Sequence, residues 1–410
     1  MYLLIVASLA IMFSCGSDND DLQTGEITLN KTTLNLVSGT IDEEAILSAM
    51  GVSGELENVE WTSSNPSVAK VDSDGKITAL SKGTAIITAK SGKNIATCEV
   101  KVTGLSAYYI MAENGEIWGL YKDGELVAPV SEGALLYTFL VSGNDIYFAG
   151  SKNNYPTMWK NGVETRLSNQ RGAAISLALD GDKVHAGGYI EYFTDLSNGV
   201  PVIWSNGSER ILADLSPTAE DPHIDGGVSK MLVRNGDVYA GGNKGRNPVI
   251  WKNGEVFVDE YYGVYSRFED FCFLNNDLYH LFREESSQLI LMKNQERHSL
   301  EPVSNLSPQN SSILTVNEDV YILAIANHGT EVVLFKNGQK VELSGGYVPT
   351  GTEWNSAYVH GCVVDNDLYI FEYRQLSLDK GKLTVWKNQE VIYIGDDTGI
   401  GVYSITLVKE

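Results

Sequence analysis

Apolar and polar residues alternate along most of the chain with a period of two. The runs are short and are broken by Gly, Asn, Asp and Pro, which is the pattern of β-strands joined by turns. Residues 26–103 hold one set of such runs. Ile27–Leu29 opens it and Thr33–Leu36 follows. Val59–Thr62 sets Trp61 among strand formers, where it reads as a core residue. Ser63-Ser64-Asn65-Pro66 is a turn, since Pro66 fixes φ and Asn65 tolerates turn geometry. Val68, Val71, Ile77 and Leu80 continue the pattern around the hairpin pair Asp74-Gly75. Lys82–Ala89 and Cys98–Val102 close a unit whose size suits a β-sandwich.

Residues 105–410 have a different rhythm, because two short signatures recur in alternation. One is an aromatic or Met residue, usually Lys, then Asn or Asp, then Gly or Gln. It starts at Tyr121, Trp159, Trp204, Trp251, Met292, Phe335 and Trp386, with copies 38 to 51 residues apart. The other places an Asp two or three residues before a Tyr or His, at Asp145, Asp182, Asp237, Asp277, Asp319 and Asp367. Four short strands per period near 40 to 50 residues predict a β-propeller. The first unit supplies only Tyr108–Met111, Ile117–Tyr121 and Glu125–Val130. The terminal run Val402–Leu407 has the pattern of a first strand without partners, so it is expected to complete that unit. Closing the ring in this way removes the exposed sheet edges. The expected fold is all-β: an Ig-like β-sandwich followed by a seven-bladed propeller closed by its C-terminal strand.

The connections between strands one and two, and three and four, are tight. The others are long and dissimilar and belong to the opposite face: Gly187–Gly199, Asp214–Gly227, Asp259–Arg267, Ser344–Ser356 and Glu372–Gly381. Variable loops on a rigid scaffold are where binding concentrates. Tyr189, Tyr192, Phe193, His223, Asp225, Tyr261, Tyr262, Arg267 and Trp354 are therefore the candidate ligand-binding residues. Aromatic faces with carboxylates and amides suit sugar rings, and a protein partner would favour the same residue types.

Composition narrows the partners. Thirty Lys and Arg against 53 Asp and Glu give a net charge of −23, which repels nucleic acid and anionic lipid heads. The cysteines Cys15, Cys98, Cys272 and Cys362 match no zinc or redox spacing, and the last three sit in apolar strand patterns as inert thiols.

At the N-terminus, residues 2–13 are almost wholly apolar, too short to span a bilayer but suited to a signal-peptide core. Ser14-Cys15 straight after it resembles a bacterial lipobox, with Met12 where Leu is usual and no Lys or Arg before the apolar run. The resemblance implies cleavage before Cys15, a signal peptide at 1–14, and a lipidated acidic linker at 15–25 anchored in the outer membrane. The acidic run Asp18–Asp21 resembles the surface-export tag of lipoproteins in one Gram-negative phylum.

The run from Trp61 to Ala89, WTSSNPSVAKVDSDGKITALSKGTAIITA, closely resembles the bacterial Ig-like group 2 domain of intimin- and invasin-type adhesins. The resemblance implies a spacer or adhesion module at a cell surface and no catalysis. The pairs Gly187-Gly188 and Gly241-Gly242, each followed by a Trp, loosely resemble kelch repeats, but the other units lack them.

The chain has no HExxH, GxSxG or phosphate-binding glycine loop, and its six histidines are scattered. No catalytic residue, metal site or cofactor is expected. The reading is a non-enzymatic surface lipoprotein whose propeller binds extracellular carbohydrate or a partner protein. Two alternatives stay open. One is a propeller glycosidase or polysaccharide lyase using Asp214, Glu191, His223 and Asp225. The other is a structural partner in an outer-membrane complex.

Overall fold

The computed structural model describes residues 27–39, 44–51, 58–113, 116–123, 125–129, 131–191, 199–212, 226–245, 247–259, 266–284, 288–303, 306–327, 330–345, 356–364, 366–377, 380–397 and 401–409. Among these residues the regular secondary structure is strand, and the chain divides into two compact units near residue 104.

The first unit is a β-sandwich. One sheet holds Glu60–Ser63, Gly83–Ser91, residues 94–102 and Thr33–Gly39; another holds Glu44–Ile46, Lys76–Ala79 and Ala69–Val71. The alternation seen in the sequence puts Ile77, Ala79, Ala85, Ile87, Cys98 and Val100 into a core almost free of solvent, with Trp61 packed against it. The hairpin at Asp74-Gly75 is set by Asp72, whose Oδ1 accepts from the N–H groups of Asp74 and Lys76 at 2.9 Å each. Gly75 is required there. Its φ is +77°, and a Cβ would lie 2.3 Å from the Leu47 carbonyl oxygen and 2.9 Å from the Trp61 ring.

The second unit is the propeller. Six four-stranded antiparallel sheets follow one another: blade 2 (134–166), blade 3 (172–211), blade 4 (227–259), blade 5 (266–298), blade 6 (306–341) and blade 7 (356–397). Blade 1 combines residues 105–113, Glu116–Lys122 and Glu125–Pro129 with the terminal strand Gly401–Lys409, which pairs from Lys409↔Leu105 to Gly401↔Ala112. The chain end therefore closes the ring. The first strands of blades 2 to 7 touch those of the next blade, which places them innermost, and the terminal strand continues that series from blade 7.

Large apolar side chains fill the seams between blades. Tyr147 and Ala149 of blade 2 pack with Leu177 and Trp204 of blade 3, and Leu281 of blade 5 packs with Ile313 and Phe335 of blade 6. Each double glycine serves its own sheet with one residue and a seam with the other. A Cβ on Gly188 would meet the Ala173 carbonyl at 2.0 Å, and one on Gly241 would meet the Phe268 ring of the next blade at 2.2 Å. Blade 2 needs the first kind of relief, at Gly150 against the Leu135 carbonyl, but not the second. The pair recurs only where a neighbouring side chain demands it.

Two expected loops hold strand among their described residues. Tyr189 lies within Lys183–Glu191, paired with Ala173 and Pro201, and the segment Glu372–Gly381 is taken up by the long hairpin Asp367–Ser377 and Lys380–Lys387. In both, the antiparallel pairing of the preceding strand runs on into the segment.

Candidate functional site

The tight-turn end of the propeller is held by one repeated device. In blade 2, Asn161 Nδ2 donates to Asp145 Oδ1 at 2.7 Å, and Asn161 Oδ1 accepts from the Ile146 N–H at 2.8 Å. Lys160 Nζ lies 2.8 Å from Asp145 Oδ2 and 5.2 Å from the centre of the Tyr147 ring. The same four residue types meet in blade 4 (Asp237, Tyr239, Lys252, Asn253), blade 5 (Asp277, Tyr279, Lys293, Asn294), blade 6 (Asp319, Tyr321, Lys336, Asn337) and blade 7 (Asp367, Tyr369, Lys387, Asn388). Each Asn also adopts positive φ near 50°, and the Gly or Gln after it 70° to 85°, as a type I′ hairpin requires. Sequence periodicity therefore marks a fold element. The Lys and Asn hydrogen bonds hold Asp145, Asp237, Asp277 and Asp319 below the usual carboxylate range.

Blade 3 departs from the device. The pairing Asp180↔Lys183 and Leu179↔Val184 puts Lys183, not Asp182, at the position of Asp145. Ser205 stands for the lysine and His185 for the tyrosine, with His185 Nδ1 and Ser205 Oγ 2.7 Å apart. Burial lowers the His185 pKa below its ordinary value.

The opposite end carries chemistry that does not repeat. The innermost strand of blade 5, Ser266–Leu274, has a bulge between Phe268 and Asp270, so Glu269 is the extra residue. Glu269 Oε1 accepts from Arg283 Nε at 3.0 Å, and both side chains are largely buried. Burial pushes the Glu269 carboxyl up to about 7, against the opposing pull of Arg283 and Arg267. Arg267 is the cross-strand partner of Arg283 and is exposed. Beside them Asp270 joins three blades. Its Oδ2 accepts from the Ile313 N–H of blade 6 at 3.1 Å, and its Oδ1 lies 3.2 Å from Lys230 Nζ of blade 4. In blade 7, Arg374 pairs with Glu372, both nearly free of solvent, and donates to the Thr330 carbonyl of blade 6 at 2.7 Å.

Among the described residues no group of His, Cys, Asp and Glu could hold a metal ion. A cleft of about 390 Å³, counting the solvent at its mouth, opens between blades 1 and 2. Leu136, Phe148 and Trp159 form its floor and belong to the seam between those blades.

Residues 27–102 match the family model of the bacterial Ig-like domain, group 2. An uncharacterized protein of Clostridium acetobutylicum is 40% identical over 84 residues, which is 19% of this chain and 8% of that protein. Among solved structures, a prolyl endopeptidase is similar with a TM-score of 0.40 and 11% identity, over 85% of this chain and 50% of that one. The acylaminoacyl peptidase of Pyrococcus horikoshii has a TM-score of 0.32 and 12% identity, over 80% and 53%. The chain thus spans a small fraction of the curated relative and about half of each peptidase.

Outside the Ig-like domain, the residues expected to bind ligand are placed as follows. Arg267 is exposed at the start of its strand, and Tyr189 is half-buried in a strand of blade 3. Tyr192, Phe193, His223, Asp225, Tyr261, Tyr262, Trp354 and the lipidation residue Cys15 lie outside the described residues. Of the alternative acid/base group, Asp214 is also outside them, and Glu191 is ion-paired with Arg171 at 3.1 Å. Glu269, Arg283, Asp270 and Lys230 were not singled out from the sequence. The signal was there as charges inside otherwise apolar strands, Phe268-Glu269-Asp270-Phe271 and Leu281-Phe282-Arg283. Cys98 and Cys272 are buried free thiols and Cys362 is half-buried; burial raises all three pKa values, to about 12 for Cys272 and about 11 for Cys362.

Proposed function

We propose that this chain is a non-enzymatic cell-surface binding protein, in which the Ig-like domain carries a propeller that captures an extracellular glycan on its long-loop face. The observation that carries the reading is the contrast between the two ends of the blades. One end repeats a single hairpin device in five blades. The other ends in connections of dissimilar sequence and holds charge pairs that do not repeat from blade to blade among the described residues, the cluster at blade 5 foremost. A binding surface needs residues that occur once, on a scaffold that does not move. The Ig-like domain supports a surface location, since such domains occur in bacterial surface proteins. No helix among the described residues is long and apolar enough to cross a membrane, so the lipobox-like Ser14-Cys15 is the proposed attachment to the outer membrane.

The test is binding of residues 22–410 to a broad glycan array, with Arg267→Ala beside it and reducing-end release measured in parallel. Selective binding without turnover is expected. A blank array with binding to host or outer-membrane proteins would replace the glycan by a protein partner. Turnover of any polysaccharide would overturn the non-enzymatic reading.

A further inference from the structure

Arg267 and Arg283 are direct cross-strand partners on one face of the blade 5 sheet, at the end where the long connections begin. Directly opposed residues of an antiparallel pair hold their Cβ atoms about 5 Å apart, and like charges there are destabilising. The chain carries only 30 basic residues against 53 acidic ones, so such a pairing is not forced by composition. Glu269 compensates one partner. Its carboxylate takes the Nε of Arg283, and both groups are mostly shielded from water. The nearby Asp270 is already engaged by Lys230, by its own neighbour's N–H at Phe271 and by the Ile313 N–H. Arg267 is left exposed, and its charge acts on Glu269 while the ion pair of that carboxylate goes to Arg283. The cluster counts Arg267, Arg283 and Lys230 against Glu269 and Asp270, a local excess of one positive charge on a strongly acidic protein.

We infer that Arg267, backed by Arg283 and Glu269, is the carboxylate-binding position of this face, and that the captured glycan is an acidic one bearing uronic-acid-type sugars. This rests on the glycan reading given above. A guanidinium fork matches a carboxylate bidentately, and charge-assisted bonds of this kind are about twice as strong as neutral ones. The Arg283–Glu269 pair fixes the strand position behind Arg267 and keeps Arg283 from repelling it outright. The overall charge of −23 disfavours long polyanions at low salt through repulsion with a range of about 10 Å at 0.1 M ionic strength. Short or sparsely charged acidic oligosaccharides therefore suit the site better than densely sulfated chains.

The decisive experiment is calorimetric titration of the folded protein with a uronic-acid-containing tetrasaccharide and with the same tetrasaccharide after reduction of its carboxyl groups to alcohols. Arg267→Ala and Arg267→Lys are run beside the wild type, with circular dichroism confirming their fold. Binding of the acidic form at least 10-fold tighter than the reduced form is expected, with that preference lost in Arg267→Ala and only partly kept in Arg267→Lys. Equal binding of both forms, or an unchanged preference in Arg267→Ala, would overturn the carboxylate assignment and leave the glycan reading standing. Binding of neither form, nor of any neutral glycan, would overturn both. Arg267-dependent binding of an acidic peptide in place of the sugar would overturn the assignment to a glycan.

Discussion

Asp270 Oδ2 accepts a hydrogen bond from the backbone N–H of Ile313 at 3.1 Å, across the boundary between blades 5 and 6. Its other oxygen lies 3.2 Å from Lys230 Nζ in blade 4. One buried carboxylate thus ties three consecutive blades at their innermost strands. Blade 3 has a weaker counterpart in the residue following its own bulge, where Ser176 Oγ accepts from the Met231 N–H at 2.9 Å. Removing Asp270 strips the Ile313 N–H of its partner and leaves Lys230 without its anion. Asp270→Ala is therefore expected to cost about 3 kcal/mol of unfolding free energy. Urea unfolding followed by tryptophan fluorescence measures it. Loss below 1 kcal/mol would mean water satisfies both groups as well as the carboxylate does.

The hairpin device allows its members to be ranked. Asn388 supplies three contacts: Nδ2 to Asp367 Oδ1 at 2.6 Å, Oδ1 from the Leu368 N–H at 2.9 Å, and its own N–H to the Leu368 carbonyl at 2.9 Å. It also sits at φ +49°, where Asn is better tolerated than Ala. Asn388→Ala is expected to cost about 2 kcal/mol, since it breaks two side-chain bonds and strains the turn. The lysine should matter less. The Lys160–Asp145 pair is half exposed, and water and salt screen such pairs. Paired chemical denaturation of Asn161→Ala and Lys160→Ala would reveal the order, and a larger loss for the lysine would refute it.

Two of these turns carry a residue ill-suited to its backbone. Gln389 has φ +80° and Gln295 has φ +70°, where the other described copies place Gly at 79° to 85°. A non-glycine residue in that region is strained by about 1 kcal/mol. Gln389→Gly is expected to stabilise by a few tenths to about 1 kcal/mol, offset in part by the greater freedom of glycine in the unfolded chain. A differential scan should show a small rise in Tm for Gln389→Gly and none for Asn388→Gly, which forfeits the hydrogen bonds.

The repeat was legible in the sequence because its signature is local. Lys, Asn and Gly sit together at one hairpin, and Asp and Tyr at the other, so seven copies stand out without any knowledge of pairing. The closing strand was legible for the same reason, as a first strand with no followers. Blade 3 shows the limit. Asp182 imitates the repeated aspartate, but register places Lys183 there, and a single-residue offset is decided by the turn length. The cluster around Glu269 was hidden for a different reason. Its charged members come from two blades, and a bulge breaks the alternation that would have marked Glu269 as facing Arg283. Loop-borne aromatics are conspicuous in a sequence, whereas a charge paired across a seam is visible only once the seam is formed.

The Glu269 carboxyl gives the protein a pH signature. Its pKa stands at about 7 in the folded chain against 4.5 ordinarily, with burial as the cause, Arg283 and Arg267 opposing the rise and Asp270 adding to it. An acid with a raised folded pKa binds more protons folded than unfolded between those two values. Stability therefore falls as pH rises from 4.5 to about 7 and then levels off. At 1.36 kcal/mol per pH unit over that window, the loss is about 3 kcal/mol. Burial raises Glu372 as well, with the same sign. The lowered aspartates of the hairpin device act below pH 4, where protonating them removes stability. Glu269→Gln keeps an acceptor for Arg283 Nε and removes the titration. Urea unfolding at pH 5.0 and 8.0 should show the wild type losing about 2.5 kcal/mol more than the variant between the two, since pH 5.0 already lies inside the window. Parallel losses in both proteins would place the carboxylate in water and remove the basis for its raised pKa.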